Sequence, residues 1–408
     1  MNKIARKIFL TLSTLSVFNF FFNKITTLTI FDYAEELLLL FSFAILLQGI
    51  WSRRKLALMH IAVFVFLTYS IVISLIFGLN RSFIEIALQS IISIKFFIFL
   101  MTFVMLFKNH IWEIRKFLFW LLAFAALGVA LHLLLGEKFN AIYGVSKYAR
   151  PNIRYTGFFR HPNHLAYLAV VFIALTLDTI KKKNENISLQ GWLKVMIGVG
   201  VIILADTRTA ILAIAILFTV FYWDYLYKNM LVFFSFIFLG MLIVFGVLLF
   251  TNLPESIMDN IEMSYSLQSD YIRGLMFYMS LLLIAQYFPI GSGAGTFGSI
   301  FAKDSQVYKD FGVSDRFYFV EEWGIYDSNF ASILGEYGIM SILLFTYLFR
   351  HAYWHLRNNF SGTKPSPMLK AMFWVFVFFC ISNPMLTNSV YIIMSIPAFL
   401  LIANTEEK

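Results

Sequence analysis

The sequence predicts an all-α, polytopic membrane protein of about 12 transmembrane helices with one large outer loop. Three observations predict it. Of 408 residues, 60% are hydrophobic and only 13% are charged, and mean hydropathy is +0.77. Soluble domains are roughly half apolar and about a quarter charged. The apolar residues fall in blocks of roughly 17–25, each long enough to cross a ~30 Å hydrocarbon core. No alternating run of about 10 residues recurs, which argues against a β-barrel.

In chain order the expected spans are 8–22, 32–50, 56–79, 83–107, 117–135, 163–179, 188–205, 210–226, 230–250, 329–349, 369–382 and 389–403. The N-terminal segment from Met1 to Lys7 lacks a small-residue cleavage site after its apolar run, so it reads as the start of a retained helix. Two hydrophilic stretches interrupt the pattern, 136–161 and 251–328. The second contains an apolar piece, Leu275 to Ile290, expected as an amphipathic or re-entrant helix. No repeat or low-complexity linker divides the chain, so 1–408 reads as one membrane domain. The single cysteine, Cys380, leaves no intramolecular disulfide and no cysteine cluster for a metal.

Basic residues set the expected orientation. Lys3, Arg6 and Lys7; Arg53, Arg54 and Lys55; Lys108, Arg115 and Lys116; Lys181 to Lys183; Lys228; and Arg350, Arg357 and Lys364 all fall on one side of a twelve-span arrangement. The positive-inside rule makes that side cytoplasmic. Both hydrophilic stretches then face outward. The outer stretch 136–161 is an exception, with Lys138, Lys147, Arg150, Arg154 and Arg160 against one acid, Glu137. Either the topology is off by one span there, or these charges meet an anionic partner such as lipid headgroups or a lipid-linked diphosphate.

Two arginines point the same way. Arg208 lies in Asp206-Thr207-Arg208-Thr209 between apolar runs that leave almost no loop. A guanidinium in such a place calls for a pair or a function, and Asp206 is its bland partner. Arg273 precedes the apolar piece of the outer loop, where an interfacial anchor is the bland alternative. The glycine-rich run 291–298 is able to aim backbone N–H groups at an anion. It lacks the Gly-Lys-Ser/Thr ending of a nucleotide loop, and a plain tight turn is the favoured account. His161-Pro162-Asn163-His164 offers two histidines without a third ligand, so no metal site is expected. Asp327, just ahead of a span, is either a helix cap with Ser328 or a base at the membrane surface.

These features, in their order, resemble the superfamily of O-antigen ligases and O-antigen polymerases, bacterial envelope glycosyltransferases. Tyr155 to Ala166 resembles its G-F-x-x-x-P-N-x-x-A helix entry, and Asp206 to Ala210 its S-R-T-A turn. Arg273 followed by Pro289 to Phe297 is similar to its arginine and glycine-rich outer loop. Asp327-Ser328-Asn329-Phe330 with Gly335 to Gly338 resembles the end of that loop. The likeness covers 154–338.

The resemblance implies a GT-C-like, metal-independent glycosyltransferase of the bacterial inner membrane that works at the periplasmic face without a cofactor. Its partners would be undecaprenyl-diphosphate-linked glycans as donor and acceptor, membrane lipids and a chain-length regulator, with no nucleic acid. Arg208 and Arg273 would stabilise the departing diphosphate, Asp327 would serve as base, and Arg150, Arg154, Arg160, Asn163 and His164 would contact substrate. Ligases carry a histidine where this chain has Tyr326 or Asp327, and no histidine occurs in 251–350. That favours a polymerase joining repeat units over a ligase acting on lipid A core. A flippase of lipid-linked sugars is the alternative of another class, but neither internal repeats nor broken midplane helices are evident.

Overall fold

A computed structural model describes residues 3–26, 29–53, 58–79, 81–143, 154–182, 188–229, 235, 266–360 and 366–404. Among them no strand occurs. The helices are α1 (Lys3–Val17), α2 (Asn19–Thr26), α3 (Ala34–Arg53), α4 (Leu58–Phe77), α5 (Phe83–Ser93), α6 (Lys95–Phe107), α7 (Ile111–Leu135), α8 (Glu137–Tyr143), α9 (Pro162–Lys182), α10 (Leu189–Ala205), α11 (Arg208–Phe221) and α12 (Trp223–Lys228). After these come α13 (Ile272–Gln286), α14 (Gln306–Asp310), α15 (Phe317–Val320), α16 (Asn329–Tyr337), α17 (Met340–Phe360), α18 (Pro367–Phe379) and α19 (Ser389–Ala403). The expected span 230–250 lies outside the described residues.

Among the described residues, three helices are long and apolar enough to cross a bilayer unaided: α4, α7 and α9. The bent pairs α1–α2 (75°) and α5–α6 (57°) raise the number to five. Shorter apolar helices α10, α11, α13, α18 and α19 fill out the bundle; among the described residues, length and composition alone identify three to five of the 12 expected spans. The bend before α6 has a local cause. The Phe96 N–H donates to the Leu386 carbonyl at 3.3 Å, and the chain breaks at Ile94.

Burial follows composition. All of α6 except Met105 is buried, and so is nearly all of α19. Helices apolar all round belong at the centre of a bundle. Phenylalanines fill the space around them: Phe96 sits 4.5 Å from Phe376, and Phe373 stacks on Phe399 at 4.6 Å, centroid to centroid. Leu40, Phe64, Trp120 and Leu343 point outward and are exposed. An apolar outer surface suits a lipid solvent, where polar groups must be satisfied inside the protein.

The expected span 329–349 is two helices, not one. Gly338 has φ 64° and breaks the helix between α16 and α17. There the chain crosses Gly291 (φ 77°) so closely that a Cβ on Gly338 would lie 2.4 Å from the Pro289 carbonyl oxygen. The crossing is fixed by Ser292 N–H to the Gly335 carbonyl (3.0 Å) and Gly293 N–H to the Glu336 carbonyl (2.8 Å). Glycine at both positions is a steric requirement. The glycine-rich run thus wraps a buried carboxyl group of the protein itself. The Glu336 carboxylate, fully buried, accepts from the N–H groups of Gly295 (2.8 Å) and Phe297 (3.4 Å) and from Gln89 (3.3 Å). The loop's backbone donors are committed to the protein itself, in keeping with the tight turn that the sequence favours over an anion cradle.

The hydrophilic stretch has its own small core. Leu275, Met276, Met279 and Leu283 of α13 pack with Phe297, Tyr308, Phe319, Ile325 and Ala331. The bundle's two ends differ in chemistry. One joins Arg6 to Glu113 (3.1 Å), Lys108 to Asn359 (2.9 Å) and Lys182 to Asp178 (2.8 Å), and so gathers residues that the sequence assigns to the cytoplasmic side. The other end carries the residues described next.

Candidate active site

Segment 154–161 is clamped against the bundle before it enters α9. Tyr155 N–H donates to the Leu204 carbonyl at 3.1 Å, and Thr156 N–H donates to His132 Nδ1 at 3.2 Å. Gly128 of α7 admits the segment, since a Cβ there would meet the Phe158 nitrogen at 2.7 Å. Arg154 Nη2 donates to the Asp206 carbonyl at 3.0 Å. Asp206 takes the left-handed conformation (φ 47°) that turns α10 into α11, a role aspartate tolerates better than most residues. Arg208 then opens α11. It is exposed and makes no hydrogen bond or ion pair among the described residues, so Asp206 is not its partner.

Arg273 and Asp327 meet directly. Arg273 donates from Nη2 at 2.9 Å and from Nε at 3.3 Å to the same oxygen, Asp327 Oδ2. Their side chains are 34% and 40% exposed, so the pair adds only ~0–1 kcal/mol to stability and its value lies in placement. Asp327 is not the cap of α16. Ser328 caps it, accepting from the Ala331 N–H at 3.2 Å, which leaves Asp327 for Arg273. A residue not singled out from sequence holds the approach to Arg273. Arg316 donates to the carbonyls of Leu267 (2.6 Å) and Ser269 (2.8 Å) and to Asp270 Oδ1 (3.1 Å). Nothing in its sequence neighbourhood distinguishes it from a solvated loop arginine.

His161 is the second residue that sequence reasoning undervalued. The residue keeps an exposed surface, but the protein around it removes part of its hydration. That loss of water lowers its pKa from 6.5; the nearby Asp327 carboxylate opposes the shift, while Arg160, Arg154 and Arg273 reinforce it. The imidazole is therefore neutral at neutral pH. The signal was its place in His161-Pro162-Asn163-His164, beside the Asn163 and His164 expected to contact substrate. Among the described residues no group of three or more His, Cys, Asp or Glu is arranged to hold a metal.

The other expected substrate contacts separate into three kinds. Arg160 is exposed beside His161. Asn163 donates to Asn383 Oδ1 at 2.8 Å, and the same oxygen accepts from the Tyr391 hydroxyl at 3.1 Å. His164 is buried, edge-on to Tyr391 at 4.7 Å, and supports the site from behind. Arg150 lies outside the described residues. Arg208 is tied to this group through Thr209, whose hydroxyl lies 3.3 Å from that of Ser382, the acceptor of a bond from Asn383 (3.0 Å). Tyr391 in turn lies within electrostatic reach of Arg273.

The N-termini of α9, α11, α13 and α16 thus open at one end of the bundle, preceded or begun by His161, Arg208, Arg273 and Asp327. Helix N-termini carry partial positive charge and unsatisfied N–H groups. With Arg154, Arg160, Arg208 and Arg273, the arrangement suits a multiply charged anion flanked by a carboxylate and a neutral imidazole. Residues 193–346, from within α10 to within α17, match the family model described as O-antigen ligase. Comparison with curated proteins finds none that matches.

Proposed function

For a chain that carries an O-antigen ligase domain of the O-antigen ligase/polymerase superfamily, we propose glycosyl transfer from an undecaprenyl-diphosphate-linked glycan at the periplasmic face of the bacterial inner membrane. The reading places about twelve passes in the membrane, the shorter helices crossing it inside the bundle. The observation that carries it is the Arg273–Asp327 pair, set among Arg154, Arg160 and His161 where four helix N-termini open.

An acceptor hydroxyl attacks the anomeric carbon, and the bond from that carbon to the diphosphate oxygen breaks. The diphosphate leaves with the electron pair. Arg208 and Arg273 stabilise its charge, each guanidinium able to bind two phosphate oxygens at once. Asp327 holds Arg273; an arriving diphosphate competes for that guanidinium and releases the carboxylate. The hydroxyl proton passes to the neutral imidazole of His161. Asp327 stabilises the resulting imidazolium and orients the acceptor. No step calls on a metal.

We favour polymerisation of repeat units. One observation favours ligation to lipid A core as the second reading: His161 brings an imidazole near Asp327 from another loop, so the lack of histidine in 251–350 does not separate the branches. Products separate them. Purified protein in detergent receives lipid-linked repeat units, with and without lipid A core. A ladder of lengthened glycans without core is the expected result. Glycan appearing only on lipid A core makes the protein a ligase, and no transfer in either arm removes the enzymatic reading.

A further inference from the structure

At the opposite end of the bundle lies a cavity of about 220 Å³, lined by Arg6, Lys108, His60, His110 and His355. Among the described residues no carboxylate lines it. Arg6 is paired with Glu113 just behind the lining, its Nε donating to both carboxylate oxygens (3.1 and 3.2 Å), and His110 lies 3.9 Å from the same acid. Lys108 donates to the neutral amide of Asn359 at 2.9 Å, so that bond leaves its charge in place. The lining therefore keeps net positive charge. Its other half is apolar: Ile50, Met101 and Met105.

A separate observation gives the depth of this cavity. Each of three lining segments has an exposed tryptophan next to it: Trp51 (88%) beside Ile50, Trp112 (61%) close to His110, and Trp354 (40%) beside His355. Lys116 lies over the Trp112 ring at 4.8 Å and Arg357 over Trp354 at 4.6 Å. Exposed tryptophans with cations mark the headgroup level of a bilayer. The volume is below the roughly 300–1,000 Å³ of pockets for drug-sized ligands. It has the scale of a headgroup, not of a lipid-linked glycan.

We propose that this cavity is a second anion site, which holds a phosphate-bearing group at the cytoplasmic membrane surface, separate from the transfer site. Lys108 meets the phosphate oxygens, Arg6 adds its guanidinium from behind, held by Glu113, the imidazoles and Asn359 supply further hydrogen-bonding partners, and the Ile50–Met101–Met105 wall takes the apolar flank. A phospholipid headgroup and free phosphate share this chemistry.

The test measures thermal unfolding of the full chain in nanodiscs of phosphatidylcholine alone, of phosphatidylcholine with phosphatidylglycerol, and of phosphatidylcholine with inorganic phosphate added. A saturable rise in unfolding temperature is expected with phosphatidylglycerol. Lys108→Gln weakens the apparent preference about fivefold, as for loss of one surface cation, and Lys108→Arg keeps it. A rise with inorganic phosphate assigns the site to soluble phosphate; a rise with phosphatidylglycerol alone assigns it to the lipid. The proposal fails if neither anion shifts the wild type, or if Lys108→Gln responds as the wild type does. Should Lys108→Gln not fold, native mass spectrometry of the wild type decides, and equal retention of both lipids overturns the site.

Discussion

In the proposed mechanism His161 and Asp327 divide between them the work that a single base would do. The His161 pKa lies below 6.5, so neutral imidazole persists through neutral pH and is lost only as pH falls through the lowered value. Activity should show an acid limb below pH 6.5 in the wild type. His161→Gln should slow transfer by roughly 10²–10⁴-fold and remove that limb. An unchanged limb in the variant would hand the proton to another group. Asp327→Asn should lower the rate by about 10²-fold while the protein stays folded, because a half-exposed ion pair adds little stability. Sequence alone placed Arg273 and Asp327 in one site through order and resemblance, and they do meet. It undervalued His161, because a ring's neighbours come from distant loops that spacing cannot reveal. Arg316 was illegible for the same reason: its partners lie 46–49 positions away along the chain.

At the scale of elements, the Gly291–Gly338 crossing and the Glu336 carboxylate tie the outer loop to the bundle. Gly338→Ala would force a left-handed backbone and a 2.4 Å contact with a carbonyl that has nowhere to go. It should reduce folded protein severely, measured as the detergent-extracted monodisperse fraction. Glu336→Gln keeps the shape but trades a carboxyl group for an amide, whose NH2 end then faces N–H donors where an oxygen accepted. A cost of ~1–3 kcal/mol is expected, visible as a lower unfolding temperature; an unchanged temperature would make the carboxylate dispensable. The sequence showed the glycines but not their purpose, since the carboxyl group they surround sits about 40 residues later and was read as part of a continuous span. Hydropathy cannot see the break at Gly338, because both flanking helices are apolar.

For the whole molecule, the apolar blocks gave the helical class and most helix positions, and residues of the basic loops gather at one end of the bundle. Length was harder to read, because apolar runs do not reveal bends such as that at Ile94. The orientation has its own check: a cysteine at the exposed Asp310, in a Cys380→Ser background, should react with an impermeant thiol reagent in intact cells. Reaction only after membrane disruption would reverse the topology. The paired arginines acting on a lipid diphosphate are the centre of the proposed chemistry, and one measurement bears on them most directly. Glycan transfer by purified wild type, Arg208→Ala and Arg273→Ala is followed in the presence of a chelator. The wild type should stay active, and each variant should fall by at least ~10²-fold, as for loss of a principal stabiliser of developing charge. Variants within a few-fold of wild type, or wild-type activity that disappears with the chelator and returns with a divalent cation, would contradict it.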